Sequence, residues 1–315
     1  MFYRNICVRE NTFRNRPLDQ LKRTLENNPN LKEHIISAIV PCQDSIYDCY
    51  QFFWFPNMQT LSILRFNDWT LKFDDDSYVG TSPVTALNLI SCGAHEKALA
   101  AVLSWPVALE VLHYDAEQIE WEGPYGDEPG TSWTCAAFVR SLQPQKATLR
   151  ELTLTRPWLD HEGLFNGPRI DLSDFTALTT LRIYQVFLCG LDDPLEAWKS
   201  LPRSLEELEI FYDDWDLTRF DEDEFLLGLL AHKKEHLPQL RTVSIVSPES
   251  TWDTGTQDDG PAGPWTPPSP LGRAFESAGL NVDVHLGPIN PTKFEKLDIP
   301  RLLEQPRKRR RLALC

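Results

Sequence analysis

No apolar run in the 315 residues approaches the roughly 18 that cross a bilayer as a helix, so no such span is expected. The N-terminus, where Arg4, Asn5 and Arg9 interrupt the apolar residues, lacks a signal-peptide core. The cysteines Cys7, Cys42, Cys49, Cys92, Cys135, Cys189 and Cys315 are odd in number, widely spaced and without a Cys-x-x-Cys. That pattern predicts neither a disulfide framework nor a zinc knuckle. No Asn-x-Ser/Thr sequon occurs except Asn290-Pro-Thr, which proline disqualifies. Together these absences predict a reducing compartment, nuclear and/or cytoplasmic. Gly-x-Ser-x-Gly, phosphate-loop and dinucleotide fingerprints are also missing, so the expectation is a non-enzymatic chain with no cofactor.

Basic charge is scarce outside one place. The formal charge is −15, yet residues 301–315 hold six basic groups against Glu304, a net of +5, which leaves −20 on residues 1–300. An acidic body repels nucleic-acid phosphates and favours basic partners, although surface carboxylates also simply keep proteins dissolved. The run Arg307-Lys308-Arg309-Arg310-Arg311 fits the acidic groove of a nuclear import receptor. An inert tail and a phosphate-binding tail are the other readings of it.

What is present in abundance is one phrase, an aliphatic residue followed by others three and five positions on. It begins at Met58, Val84, Leu109, Leu149, Leu178, Leu205 and Leu240, at intervals of 26, 25, 40, 29, 27 and 35 residues. These intervals are near the period of a leucine-rich repeat, with two long units. Helical stripes follow several phrases: Ala98, Leu99, Val102 and Leu103; Phe138, Val139 and Leu142; Leu195, Trp198 and Leu201; Phe225, Leu226, Leu229 and Leu230. Each stripe ends near a proline (Pro106, Pro144, Pro202, Pro238), which stops a helix before the next strand. The predicted fold is therefore α/β, an irregular leucine-rich-repeat solenoid with parallel strands on the concave face and helices on the convex face.

The chain divides into an irregular N-terminal cap at 1–57, repeats at 58–247, a disordered loop at 248–270, a C-terminal repeat and cap at 271–304, and a basic disordered tail at 305–315. Within the cap, residues 2–8 alternate like a strand, Pro17 opens a helix bearing Leu18, Leu21 and Leu25, and residues 31–40 read as the next strand. A Gly/Pro-rich insertion occupies 122–131, inside the 40-residue unit. The aromatic run Tyr47, Tyr50, Phe52, Phe53, Trp54, Phe55 reads as core packing.

Two features invite chemistry. His232-Lys-Lys-Glu235-His236 has the inverted zinc-hydrolase spacing, which places two imidazoles one helical turn apart with a glutamate as base. The same residues suit an ordinary helix C-terminus, where cations complement the dipole, and no third ligand can be nominated. Accordingly no metal site is assigned. The second feature is the strand register. Aliphatic positions point to the core, so the residues between and beside them line the other face. The partner-binding positions expected there are His113, Asp115, Thr153, Thr155, Arg182, Tyr184, Glu209, Phe211, Tyr212 and Trp215. Solvent-facing aromatics at Tyr184 and Phe211 would anchor an interface; packing beneath neighbouring loops is the alternative.

With the repeats and the opening segment together, residues 1–290 resemble the leucine-rich-repeat region of fungal F-box-like proteins. The resemblance is carried by Phe2-Tyr3-Arg4-Asn5-Ile6, by Leu25-Glu-Asn-Asn-Pro-Asn-Leu31 and by the seven phrases. Of the ninth positions only Cys92 matches the Asn/Cys of the family pattern, the rest being Phe66, Glu117, Pro157, Val186, Asp213 and Pro248. The resemblance implies substrate recognition by the repeats for a ubiquitin-ligase adaptor. A Skp1-type adaptor is implied as a partner only where an F-box lies upstream. The expected role is protein binding on the concave face, with a nuclear acidic scaffold for basic proteins and the zinc hydrolase as alternatives.

Overall fold

The computed structural model describes residues 4–8, 16–42, 49–66, 76–94, 96–116, 134–155, 168–190, 194–211, 224–247 and 270–286. Ten strands are formed: β1 (Asn5–Cys7), β2 (Ser37–Pro41), β3 (Thr60–Leu64), β4 (Ala86–Cys92), β5 (Val111–Ala116), β6 (Glu151–Thr155), β7 (Thr180–Tyr184), β8 (Glu207–Phe211), β9 (Thr242–Ser247) and β10 (Asn281–Leu286). They make one sheet in the order β1 to β10, every neighbouring pair parallel. The chain is thus α/β with a ten-stranded, all-parallel sheet.

The repeated phrase sets the register. Its second aliphatics, Leu61, Leu87, Leu112, Leu152, Leu181, Leu208 and Val243, pair with one another in sequence across β3 to β9. All seven opening residues, from Met58 to Leu240, are buried, and one apolar core runs from Val8 to Leu280. The starts of β2 to β9 repeat one hydrogen-bond pattern: two successive N–H groups donate to a single carbonyl of the preceding strand's leader. Glu110 and Val111 donate to Thr85, Arg150 and Glu151 to Glu110, Thr179 and Thr180 to Arg150, and Glu206 and Glu207 to Thr179, at 2.8–3.0 Å. The order never reverses, and the right-handed rule for parallel connections then favours one face of the sheet for them.

Among the described residues six α-helices lie between the strands: α1 (Arg16–Asn27), α2 (Glu96–Ser104), α3 (Cys135–Leu142), α4 (Gln185–Cys189), α5 (Glu224–His236) and α6 (Pro270–Ser277). The side chain of Thr134 accepts the Ala137 N–H at 3.1 Å and caps α3. On α3, Phe138 packs 4.9 Å from Tyr114, which fills the third aliphatic position of β5. This contact marks the phrase aliphatics as the helix-bearing face. Arg140 of α3 grips Glu96 of α2 in a two-pronged pair (Nε–Oε1 2.6 Å, Nη2–Oε2 2.8 Å), holding the Glu96 carboxyl below its usual range. After α6, Gly279 at φ +72° allows Leu280 N–H to reach Phe275 O at 3.0 Å, and the two side chains are buried beside it.

Two expectations need correction. Residues 31–34 are not strand: Pro29–His34 winds as a 3₁₀ helix, because Leu31 N–H turns back to Asn28 O at 3.0 Å, and the strand begins at Ser37. The stripe at Leu195, Trp198 and Leu201 is also 3₁₀ over Pro194–Ser200, while α4 adds a short helix that periodicity does not reveal. This 3₁₀ segment lies hard against α5. A Cβ on Gly228 would fall on the Leu195 carbonyl oxygen and 2.9 Å from its carbon, so the approach requires glycine. Of the aromatic run Phe52, Phe53 and Phe55 are core, as expected, Tyr50 and Trp54 are half-buried, with Trp54 Nε1–H donating to Thr81 Oγ1 at 2.7 Å, and Tyr47 lies outside the described residues.

One side chain replaces a missing turn bond. Before β3, β7, β8 and β9 the leading residue's N–H bonds the carbonyl three residues back, as Met58 to Phe55, Leu178 to Phe175, Leu205 to Pro202 and Leu240 to Leu237. At Leu109 that bond is absent, and the buried amide of Gln145 bridges the gap. Its Oε1 accepts Leu109 N–H at 2.9 Å and Thr148 Oγ1–H at 3.0 Å, while Nε2 donates to Pro106 O at 3.0 Å and Leu103 O at 2.8 Å. Gln145→Leu strands three buried backbone groups, at roughly 1 kcal/mol or more each. A stability loss of about 3 kcal/mol in urea unfolding is expected; a loss under about 1 kcal/mol would contradict the bridging role.

Candidate functional site

The sheet's other face carries polar residues in strict rows. In the central row Ser62, Asn88, His113, Thr153, Arg182, Glu209, Ser244 and Asp283 are paired strand to strand. The row before it includes Glu151, Thr180, Glu207 and Thr242, again in register. Parallel in-register strands lie about 4.8 Å apart, so each side chain is flanked by its row neighbours.

Exposure divides the expected binding positions. Asp115, Arg182 and Glu209 are half-buried. His113, Thr153 and Thr155 are buried, and so are Tyr184 (6% exposed) and Phe211 (5%). The two aromatic rings sit 5.4 Å apart, and Tyr184 meets Phe187 of α4 edge-on at 6.4 Å. Mutual ring burial replaces the expected exposed anchors: Tyr184 and Phe211 are packing residues. Tyr212, Trp215, the insertion at 122–131, the loop positions 248–269 and the basic run Arg307, Lys308, Arg309, Arg310 and Arg311 lie outside the described residues.

A chain of hydrogen bonds links the buried positions. Thr155 Oγ1–H donates to Asp115 Oδ1 at 3.0 Å, and Ser91 N–H donates to Asp115 Oδ2 at 3.3 Å. The second bond depends on a bulge in β4, where Ser91 takes φ +52° and the pairing shifts between Leu89 and Cys92. His113 Nε2 lies 3.4 Å from Thr155 Oγ1. Thr155 has one proton and gives it to Asp115, so the contact is a hydrogen bond in the tautomer that carries its proton on Nε2. Asn88 Nδ2 donates to Ser62 Oγ at 2.9 Å, yet its Oδ1 is the only buried side-chain polar atom among the described residues without a partner.

The charged edge of this face is acceptor-rich. Arg182 stands 3.8 Å from both Glu151 Oε2 and Glu209 Oε2, too far for a hydrogen bond to either. Among the described polar-face positions Arg182 is the single Lys or Arg, against Asp115, Glu151, Glu207, Glu209 and Asp283.

The histidine pair of α5 meets an aromatic partner. Trp198 lies 4.1 Å from His232, nearly parallel, and 4.2 Å from His236, with the imidazole centroids 5.8 Å apart. His232 stacks on the indole and His236 tilts against it, so packing on Trp198 is one role for the pair. Among the described residues no three His, Cys, Asp or Glu side chains converge as ligands. Neither are the thiols of Cys92 and Cys135 poised as nucleophiles, since burial pushes each up to about 12. The described cysteines form no disulfide, and no described helix is long and apolar enough to cross a membrane.

Burial, with the positive field of Arg182 adding to it, lowers the His113 pKa from 6.5 to about 4. The unfolded chain therefore binds the proton more tightly than the folded one. Stability is full above about 6.5 and falls as the pH drops towards 4, by about 3 kcal/mol at the limit. His113→Gln should flatten that part of the profile: between pH 7 and pH 4.5 the variant is expected to lose about 2 kcal/mol less than the parent in denaturant titrations. Equal slopes would show that His113 is not the titrating group.

Compared with known protein families, characterised proteins and solved structures, the chain gives no match.

Proposed function

We propose that the chain is a leucine-rich-repeat solenoid of the F-box-like type that binds a protein partner, without catalysis, on the polar face of its sheet. The observation that supports this is the unreversed strand order. Doubly wound sheets bind small ligands in the crevice where strand order reverses, and this sheet has no such point among its described strands. One-sided crossovers instead favour a curved stack, with a strand face available along its length. Thr180, Arg182, Glu209 and Ser244, half-buried in adjacent rows, are the side chains suited to contact.

Within this reading, the partner is a substrate of a ubiquitin-ligase adaptor, coupled through a Skp1-type protein where an F-box precedes the repeats. The basic run Arg307–Arg311 serves an import receptor and places the protein in the nucleus. Both roles rest on sequence resemblance and charge.

A photo-crosslinking residue tests the binding face. Placed at Thr180 or Ser244, it should trap a discrete protein adduct in cells; placed at Lys234 or Glu276, both exposed on helices, it should not. Adducts of equal yield from all four positions, or from the helices alone, would overturn the assignment.

A further inference from the structure

β10 ends the ladder, and no described strand pairs with its outer side. Its inner side is fully used: β10 pairs with β9 from Asn281 to Leu286, and Asn281 N–H donates to Arg241 O at 2.8 Å. Backbone groups alternate along a parallel strand, so Asn281, Asp283 and His285 direct theirs to β9, while Val282, Val284 and Leu286 direct theirs outward. An edge of this length, without a bulge or a proline, is a template for another strand. β1, at the opposite end of the sheet, offers only three residues.

Charge and hydrogen bonding together select what pairs there. For a second copy of β10 running antiparallel, a register centred on Asp283 sets the two aspartates against each other, which is unfavourable. Centred on Val284, residue 283 of each copy falls opposite residue 285 of the other, an aspartate against a histidine on both sides of the axis. In that register Val284 exchanges hydrogen bonds with its own counterpart, and Val282 exchanges them with Leu286 of the other copy. Every outward N–H and C=O of the strand then has a partner.

We infer that two copies of the chain join through β10, antiparallel and centred on Val284, into one continuous sheet. The two-fold axis stands normal to the sheet, so both polar faces open to the same side. A partner with two binding segments then meets two faces at once. A single strand pair is a small interface, and the dimer forms and parts with concentration. The inference stands apart from what the polar face binds.

Sedimentation velocity of the full chain over about a hundredfold range of concentration should show a monomer–dimer equilibrium. Val284→Pro removes an outward N–H and leaves the pairing with β9 intact, so it should weaken the dimer at least tenfold without changing the thermal melt. Asp283→Lys should weaken it at least threefold, and adding His285→Asp, which exchanges the opposed residues, should restore it to within twofold. Glu235→Lys, the same charge change on the exposed end of α5, should alter it less than twofold. Amide hydrogen exchange at Val282 and Val284 should slow as concentration rises. A chain that stays monomeric throughout, or a dimer unaffected by Val284→Pro, would overturn the inference. So would equal losses from Asp283→Lys and Glu235→Lys without rescue by His285→Asp, which would reduce the effect to net charge. Exchange at the two amides that is slow at every concentration would make a segment of the same chain the occupant of the edge, and would overturn it as well.

Discussion

Register in the parallel ladder is the constraint on which the rest of the molecule depends. Two N–H groups at the start of a strand share one carbonyl of the strand before, and that junction recurs from Ile36 to Thr242. A one-residue slip would turn Leu61, Leu87 and Leu112 to the polar face and Ser62, Asn88 and His113 into the core. Burial of the aliphatics and alignment of the polar rows are therefore one fact seen from two sides. The same junction makes the rows on the opposite face continuous enough to be read as a surface.

The phrase made the strands legible because its period of two within a strand and its return every 25 to 40 residues are both properties of sequence. Leu61, Leu181 and Val243 stand where their spacing placed them. What escaped detection was non-local. Gln145 shows no local signal, since its role is to complete a turn at Leu109, 36 residues earlier. Residues 31–34 misled, because their strand-like apolarity sits within a 3₁₀ turn. Gly228 likewise declares itself only through the carbonyl of Leu195 on another segment.

The candidate site was legible by position and not by exposure. Alternation along a strand assigns a face, but exposure depends on what neighbouring rows bring. Tyr184 and Phe211 meet each other because β7 and β8 pair them directly, so their apolar area is spent in the fold. The histidine pair is ambiguous for a related reason: spacing of four puts His232 and His236 on one side of α5 for an ion or an indole alike, and here both rings lie against Trp198.

Along the sheet the polar face changes character. Ser62 and Asn88 are uncharged and buried, and His113 is kept neutral by its burial; from β6 onward come Glu151, Arg182, Glu207, Glu209 and Asp283, none fully buried. Burying charge is costly without close pairing, so carboxylates persist only where water reaches them. In a stack where each unit leans only on its neighbours, later units can carry such charge without weakening the earlier ones. Charge can then vary near the C-terminal strands while the phrase that builds those strands stays the same.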